Sequence, residues 1–130
     1  MTVRLIAAAA VLVSAFVHLK LWLDGFRHLH VVGPAFMVNA IAGVVIAVLL
    51  VAWKHWLAPL LAAGFGASTL GAFAIATTSS GLFGTHETWK GSYQLTAAVV
   101  EAIAIVAGLY AVSRELRAAA PARQHSTVAG

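Results

Sequence analysis

The sequence predicts an all-α fold, an antiparallel four-helix transmembrane bundle. Three observations support this prediction. Apolar residues make up 62% of the 130-residue chain, whereas a soluble domain is about 45–50% apolar. Charged residues make up only 9%. They lie in short segments between four long apolar runs, which a soluble core of this size has no room to bury. We therefore expect a multi-pass membrane domain over residues 1–113 and a separate tail over residues 114–130.

The first two spans are predicted at residues 5–23 and 35–53. As a helix the first run rises about 28 Å, close to the hydrocarbon thickness of about 30 Å. A cleaved signal peptide is the rival interpretation. The apolar run continues past Ala15 to Leu23 and further spans follow, so we expect this segment to be retained. Pro34 precedes the second run, where its fixed φ suits a first helical turn.

The third and fourth spans are predicted at residues 57–78 and 93–112. Small residues recur at intervals of four along the third span, as at Ala62 and Gly66, and such pairs allow helices to approach closely in lipid. We therefore expect the third helix to be central. Residues 114–130 are basic and lack apolar periodicity, which predicts a disordered cytoplasmic tail.

The distribution of Lys and Arg predicts that both termini lie in the cytoplasm. Five of these residues fall on the side of the termini and three on the opposite side. The first group is Arg4, Lys54, Arg114, Arg117 and Arg123, and the second is Lys20, Arg27 and Lys90. The more basic side of a membrane protein is cytoplasmic. Since these cations border apolar runs, we expect them to contact the lipid bilayer of the plasma membrane, and we expect no nucleic-acid partner.

Polar residues inside the predicted spans define a candidate pocket in the outer half of the bundle. Glu101 lies eight residues into the fourth span, about 12 Å deep, where an isolated carboxylate costs about 2.5–3.5 kcal/mol. It therefore needs a proton, a partner or water. The polar faces of the helices add Ser14, His18, Asn39 and Gln94 to the candidate pocket. A structural network of Glu101, His18 and Asn39 is the alternative.

Histidines in the two outer segments define a candidate metal site. His28, His30, His86 and Glu87 become neighbours if these segments meet, and Zn²⁺ or Cu²⁺ accepts such nitrogen and oxygen ligands. Solvated interfacial histidines are the alternative. A haem between two histidines requires His30 or His86 to reach inward toward His18. The chain contains no cysteine, which excludes disulfides and thiolate metal sites.

Four stretches of the chain carry a resemblance to a known group of proteins. They read HLKLW, DGFRHLHVVGPAFMVNAIAG, ASTLGAF and GLFGTHETW. In these stretches, and over most of the range from Val3 to Arg117, the chain resembles small four-span integral membrane proteins of actinobacterial type. The resemblance implies a plasma-membrane bundle and implies no particular reaction.

Three classes of function remain open. The leading hypothesis is a non-catalytic small membrane protein, either an accessory subunit in a homo-oligomer or larger complex, or a binder of a small lipophilic ligand in the outer pocket. The second is a redox protein that binds haem or a divalent metal. The third is a small proton-coupled carrier that uses Glu101. The sequence contains no nucleophile paired with a base, no phosphate loop and no carboxylate pair at catalytic spacing, which disfavours an enzyme.

Overall fold

The computed structural model is a bundle of four long helices, as the sequence predicts. It describes the backbone of residues 1–128 and the side chains of residues 1–120, and this part of the chain contains no β-strand. The helices are α1 (Thr2–Leu23), α2 (Val32–Ala52), α3 (Leu57–Ala76) and α4 (Ser92–Val128). Each contains a segment long and apolar enough to cross a membrane. The all-α four-helix bundle is thus confirmed, and it fits a small integral membrane protein.

The two ends of the bundle differ in their connections. At the turn end, residues 53–56 join α2 to α3. At the loop end, residues 24–31 join α1 to α2 through a short 3₁₀ helix, Phe26–His28, and residues 77–91 join α3 to α4. The start of α1 also lies at the turn end, which the count of basic residues predicts to be cytoplasmic.

Helix α4 is longer than the sequence predicts. The fourth span was expected to end at residue 112, with a disordered tail over 114–130, whereas α4 continues to Val128. Residues 129 and 130 lie outside the described part of the chain. Residues 113–120 read SRELRAAA, and Glu, Leu, Arg and Ala are strong helix formers. The end of apolar periodicity therefore marks the end of the span but not the end of the helix.

Helices α1 and α4 pack against each other in the middle of the bundle. Helix α2 packs on α1, α3 packs on α4, and the contact between α2 and α3 is sparse. By burial of the apolar segment α1 stands out, with 50% buried against 28% in α2, 33% in α3 and 28% in α4. The expectation that α3 is central is therefore wrong. Small buried side chains at Ala7, Ala8 and Ala10 let α1 approach its neighbours closely.

One face of α3 makes the close contact that its small residues predict. A Cβ placed on Gly66 would lie only 2.6 Å from the backbone oxygen of Glu101 on α4, and Ala62 on the same face is fully buried. Gly64 and Gly71, by contrast, have open space around them. The Ala62 and Gly66 face therefore sets the distance between α3 and α4, which positions Glu101 close to α3.

A buried arginine holds the turn end together. Arg4 is only 5% exposed, and all five of its N–H groups donate hydrogen bonds. Its guanidinium contacts the backbone oxygens of Leu50, Trp53 and His55 at 2.9, 2.9 and 2.7 Å. It also donates twice to Glu115 Oε1, at 3.2 and 2.6 Å. The bonds to Leu50 and Trp53 satisfy carbonyls that the end of α2 leaves unpaired, and the bonds to Glu115 tie α1 to α4.

Replacing this arginine is expected to destabilise the bundle strongly. We expect Arg4→Ala to lower the free energy of unfolding by about 3 kcal/mol, because three carbonyl oxygens and a carboxylate lose charged donors. Arg4→Lys should recover only part of the loss, since an ammonium lacks the planar fork of five donors. Circular dichroism of thermal unfolding in detergent measures both effects.

Lys54→Ala is the matched control, since Lys54 is an exposed cation at the same end of the bundle. We expect this variant to change the free energy of unfolding by less than about 0.5 kcal/mol. Equal losses in Arg4→Ala and Lys54→Ala would show that the Arg4 contacts do not stabilise the bundle.

Candidate functional site

Ser14, His18 and Glu101 form a hydrogen-bonded cluster between α1 and α4. Their exposed fractions are 0%, 6% and 1%. The Ser14 hydroxyl donates to Glu101 Oε1 at 3.1 Å, and His18 Nδ1 lies 2.7 Å from the backbone oxygen of Ser14. Because a carbonyl oxygen only accepts, His18 carries a proton on Nδ1. Its other ring nitrogen, Nε2, lies 4.0 Å from Glu101 Oε1.

This cluster joins two helices and leaves little room for a ligand. The space beside Glu101 is about 40 Å³, enough for a few water molecules but too small for an organic ligand. Ser14 and His18 are one helical turn apart and therefore share a face of α1. The geometry is that of a structural contact, in which α1 supplies the donor that the buried carboxyl group on α4 requires.

Asn39 does not join the cluster but bridges α2 and α3. Its Nδ2 donates to Thr69 Oγ1 at 2.7 Å. The Thr69 hydroxyl uses its own proton on the backbone oxygen of Phe65, at 2.8 Å, so Thr69 must accept from Asn39, which fixes the amide orientation. Asn39 Oδ1 is buried and has no hydrogen-bond partner among the described residues. An unpaired buried acceptor costs about 1–3 kcal/mol.

A partly enclosed cavity of about 340 Å³ lies between α2 and α3 near the loop end. Its wall is mostly apolar and includes three phenylalanine rings. The rings are Phe36, Phe73 and Phe83, and the polar lining consists of His18, Asn39, Ser68, Thr69, Thr85 and Glu87. A cavity above about 300 Å³, apolar with a few polar groups, is typical of a small-molecule site.

The loop between α3 and α4 closes the cavity at the loop end. Leu82 and Thr85 exchange two backbone hydrogen bonds, of 2.9 and 2.8 Å, around a two-residue turn. The two turn residues, Phe83 and Gly84, both have positive φ, 48° and 79°, as a type I′ turn requires. The backbone N–H of Glu87 then donates at 2.9 Å to the last residue of α3. These bonds bring Thr85 and Glu87 to the cavity.

Gln94 lies between the cavity and the buried cluster. Its Nε2 donates to Glu87 Oε2 at 3.2 Å, and its side chain borders the small space beside Glu101. His18 borders both this space and the larger cavity. The structure thus divides the predicted pocket in two. Ser14 and Glu101 belong to the cluster between α1 and α4, and Asn39 belongs to the cavity between α2 and α3.

The predicted metal ligands His28, His30, His86 and Glu87 do not converge. Among the residues that the structure describes, no group of three or more His, Asp or Glu side chains is placed to hold a metal ion. His86 Nε2 lies 3.2 Å from the backbone oxygen of Ser79. The 3₁₀ helix that contains His28 packs on α1 and α2, whereas the loop that contains His86 returns to α3.

Two further residues of the site, Ser68 and Thr69, are not revealed by the sequence analysis. The sequence assigns this part of α3 to helix packing. In the structure, the Ser68 and Thr69 hydroxyls donate to the backbone oxygen of Phe65, at 3.1 and 2.8 Å, and both residues line the cavity. The available signal is the Ser–Thr pair itself, because polar side chains in a membrane span must find partners inside the protein.

No protein-family model matches the chain, and no curated protein and no solved structure matches it. Any proposal about its function therefore depends on the geometry of the site. The resemblance to four-span actinobacterial proteins stays a prediction.

Removing the donor to Glu101 is expected to destabilise the central helix pair. We expect Ser14→Ala to lower the free energy of unfolding by about 1–3 kcal/mol, because the buried carboxyl group loses its hydrogen bond. Thr96→Ala removes a hydroxyl from an exposed position on α4 and serves as the control. Detergent or thermal unfolding curves of the two variants and the wild type provide the comparison. A Ser14→Ala variant as stable as Thr96→Ala would contradict the structural role of the cluster.

Proposed function

We propose that this small integral membrane protein binds a small lipophilic ligand between the outer halves of α2 and α3, in the plasma membrane. The proposal depends on one observation, the cavity of about 340 Å³ that is lined by Asn39, whose Oδ1 atom lacks a partner within the described chain. Buried polar atoms of proteins are almost always hydrogen-bonded. A small shift of the Asn39 side chain, whose Oδ1 atom is itself buried, would let a ligand in the cavity supply the missing donor.

The shape of the cavity follows from small side chains on facing helices. Ala35 on α2 and Ala72 and Ala76 on α3 all line it, and none of them is long enough to fill the gap. Because α2 and α3 touch only sparsely, a molecule dissolved in the bilayer has a lateral route between them. An apolar ligand body then packs against the phenylalanine rings, and its polar group reaches Asn39 or Glu87.

The other hypotheses from the sequence have less support in the geometry. Carrier function requires Glu101 to exchange protons along a path, and the space beside Glu101 is only about 40 Å³. Haem ligation requires a free ring nitrogen on His18, and its Nδ1 and Nε2 face Ser14 and Glu101. An accessory role in a homo-oligomer or a larger complex is compatible with ligand binding.

Filling the cavity tests the proposed function. Native mass spectrometry of protein purified from its own membranes is expected to show a bound lipophilic molecule on the wild type. We expect Ala72→Trp to lose this adduct, because the indole occupies the space between α2 and α3.

Ala74→Trp is the matched control, since Ala74 is an exposed residue of the same helix and lies outside the cavity lining. This variant should keep the adduct. A wild type without an adduct, an adduct that persists in Ala72→Trp, or equal loss in both variants would contradict ligand binding in the cavity.

The proposed orientation, with both termini in the cytoplasm, has a separate test. The chain contains no cysteine, so Thr88→Cys and Lys54→Cys each introduce a single exposed thiol, one at the loop end and one at the turn end. In intact cells we expect a membrane-impermeant maleimide to label Thr88→Cys alone, and to label Lys54→Cys only after permeabilisation. The reverse pattern would place the termini outside the cell.

A further inference from the structure

We infer that the ligand of the cavity is a lipophilic amine, a molecule with a protonated amino group on an apolar body. The inference rests on the proposed function and specifies its ligand class. It follows from three properties of the cavity wall, namely its excess of hydrogen-bond acceptors, a carboxylate without a cationic partner, and three aromatic rings.

The polar wall of the cavity offers mainly acceptors. Ser68 and Thr69 both donate their hydroxyl protons to the backbone oxygen of Phe65, so toward a ligand these hydroxyls can act only as acceptors. Asn39 donates to Thr69, which leaves Oδ1 as the buried acceptor without a partner in the described chain. The Thr85 hydroxyl and the second N–H of Asn39 are the neutral donors that remain. A ligand that donates several hydrogen bonds matches this wall, and an ammonium group donates up to three.

Charge distinguishes an amine from a neutral donor such as an alcohol. Of the four acidic residues in the chain, Glu115 pairs with Arg4, Asp24 with Lys20, and Glu101 lies within 4.0 Å of a histidine nitrogen. Glu87 is one of the residues that line the cavity. It has no cationic nitrogen within 4.0 Å among the side chains described by the structure, and its contact with Gln94 is to a neutral amide.

No Lys or Arg from the described part of the chain lines the cavity. Glu87 is the only acidic residue of this lining, and its other titratable residue is His18. A fatty acid or another anionic amphiphile would bring a second negative charge beside Glu87, which is unfavourable near a membrane. A cationic head group instead forms a charge-assisted hydrogen bond, roughly twice as strong as a neutral one.

The aromatic rings suit the same head group. Phe36 is held by stacking on Phe26 at a centroid distance of 4.9 Å, and Phe73 by an edge contact with Trp89 at 4.7 Å. Phe83 occupies the first central position of the type I′ turn. All three phenylalanines line the cavity, and aromatic faces attract ammonium groups by about 0.5–2 kcal/mol each. An alcohol or a carboxylate gains nothing comparable.

Two probes of equal chain length, an amine and an alcohol, distinguish the effects of the two head groups on binding. Equilibrium dialysis of 1-octylamine and of 1-octanol against the full-length protein in phosphatidylcholine nanodiscs, corrected for empty nanodiscs, measures the two affinities at neutral pH. We expect octylamine to bind the wild type about tenfold more tightly than octanol. Glu87→Gln should weaken octylamine binding about tenfold and leave octanol binding unchanged, because the amide still accepts from Gln94 and only the charge is lost.

Asp24→Asn is the matched control, since it removes one negative charge from an exposed position at the loop end and outside the cavity. Both affinities should equal those of the wild type. Equal binding of the two probes, an unchanged octylamine affinity in Glu87→Gln, or the absence of octylamine binding would overturn the inference. If Ala72→Trp abolishes binding of two equally bound probes, the cavity is a lipophilic site without amine selectivity. The proposed function then stands and the amine inference fails.

Discussion

The hydrogen bond from Ser14 to Glu101 joins the two helices that occupy the middle of the bundle. A bilayer offers no water to a carboxyl group on α4, so the chain must supply a donor from a neighbouring helix. Ser14 on α1 supplies it, at a position that is fully buried. With α1 and α4 joined in this way, α2 packs on α1 and α3 packs on α4. The sparse contact between α2 and α3 is the consequence, and the cavity lies in that gap.

The buried polar groups of this bundle find hydrogen-bond partners inside the protein, and for this reason one buried atom without a partner is informative. At the turn end, Arg4 uses all five donors on three carbonyl oxygens and on Glu115. Near the loop end, Glu101 accepts a hydrogen bond from the Ser14 hydroxyl, and His18 Nδ1 donates to the backbone oxygen of Ser14. In the described part of the chain, Asn39 Oδ1 is the one buried side-chain oxygen or nitrogen without a partner. Because the other buried side-chain polar atoms of the described chain are paired, this exception beside a cavity supports our proposal that a ligand binds there.

The sequence predicts the helices well and their neighbours less well. Four apolar runs predict four helices, because a helix that crosses a lipid bilayer needs a long run of apolar residues. The pairing of Ser14, His18 and Glu101 can also be predicted, because these residues lie at similar depths along their spans. The sequence does not predict which helices lie next to each other, because small residues occur on both α1 and α3. In the structure α1, and not α3, is central. Two features depend on which helices are neighbours: the partner of Asn39, and whether the two outer segments bring their histidines together. Neither the cavity between α2 and α3 nor the separation of the histidines therefore follows from the sequence.

An experimental electron-density map of the protein purified from its own membranes is the most direct test of the central claim that the gap between α2 and α3 is a ligand site. The account predicts density for a non-protein molecule in that gap, with a polar atom within hydrogen-bond distance of Asn39 Oδ1 and an apolar body against Phe73. A map in which α2 and α3 pack together and close the gap, or in which Asn39 Oδ1 pairs with another side chain of the protein, would contradict it.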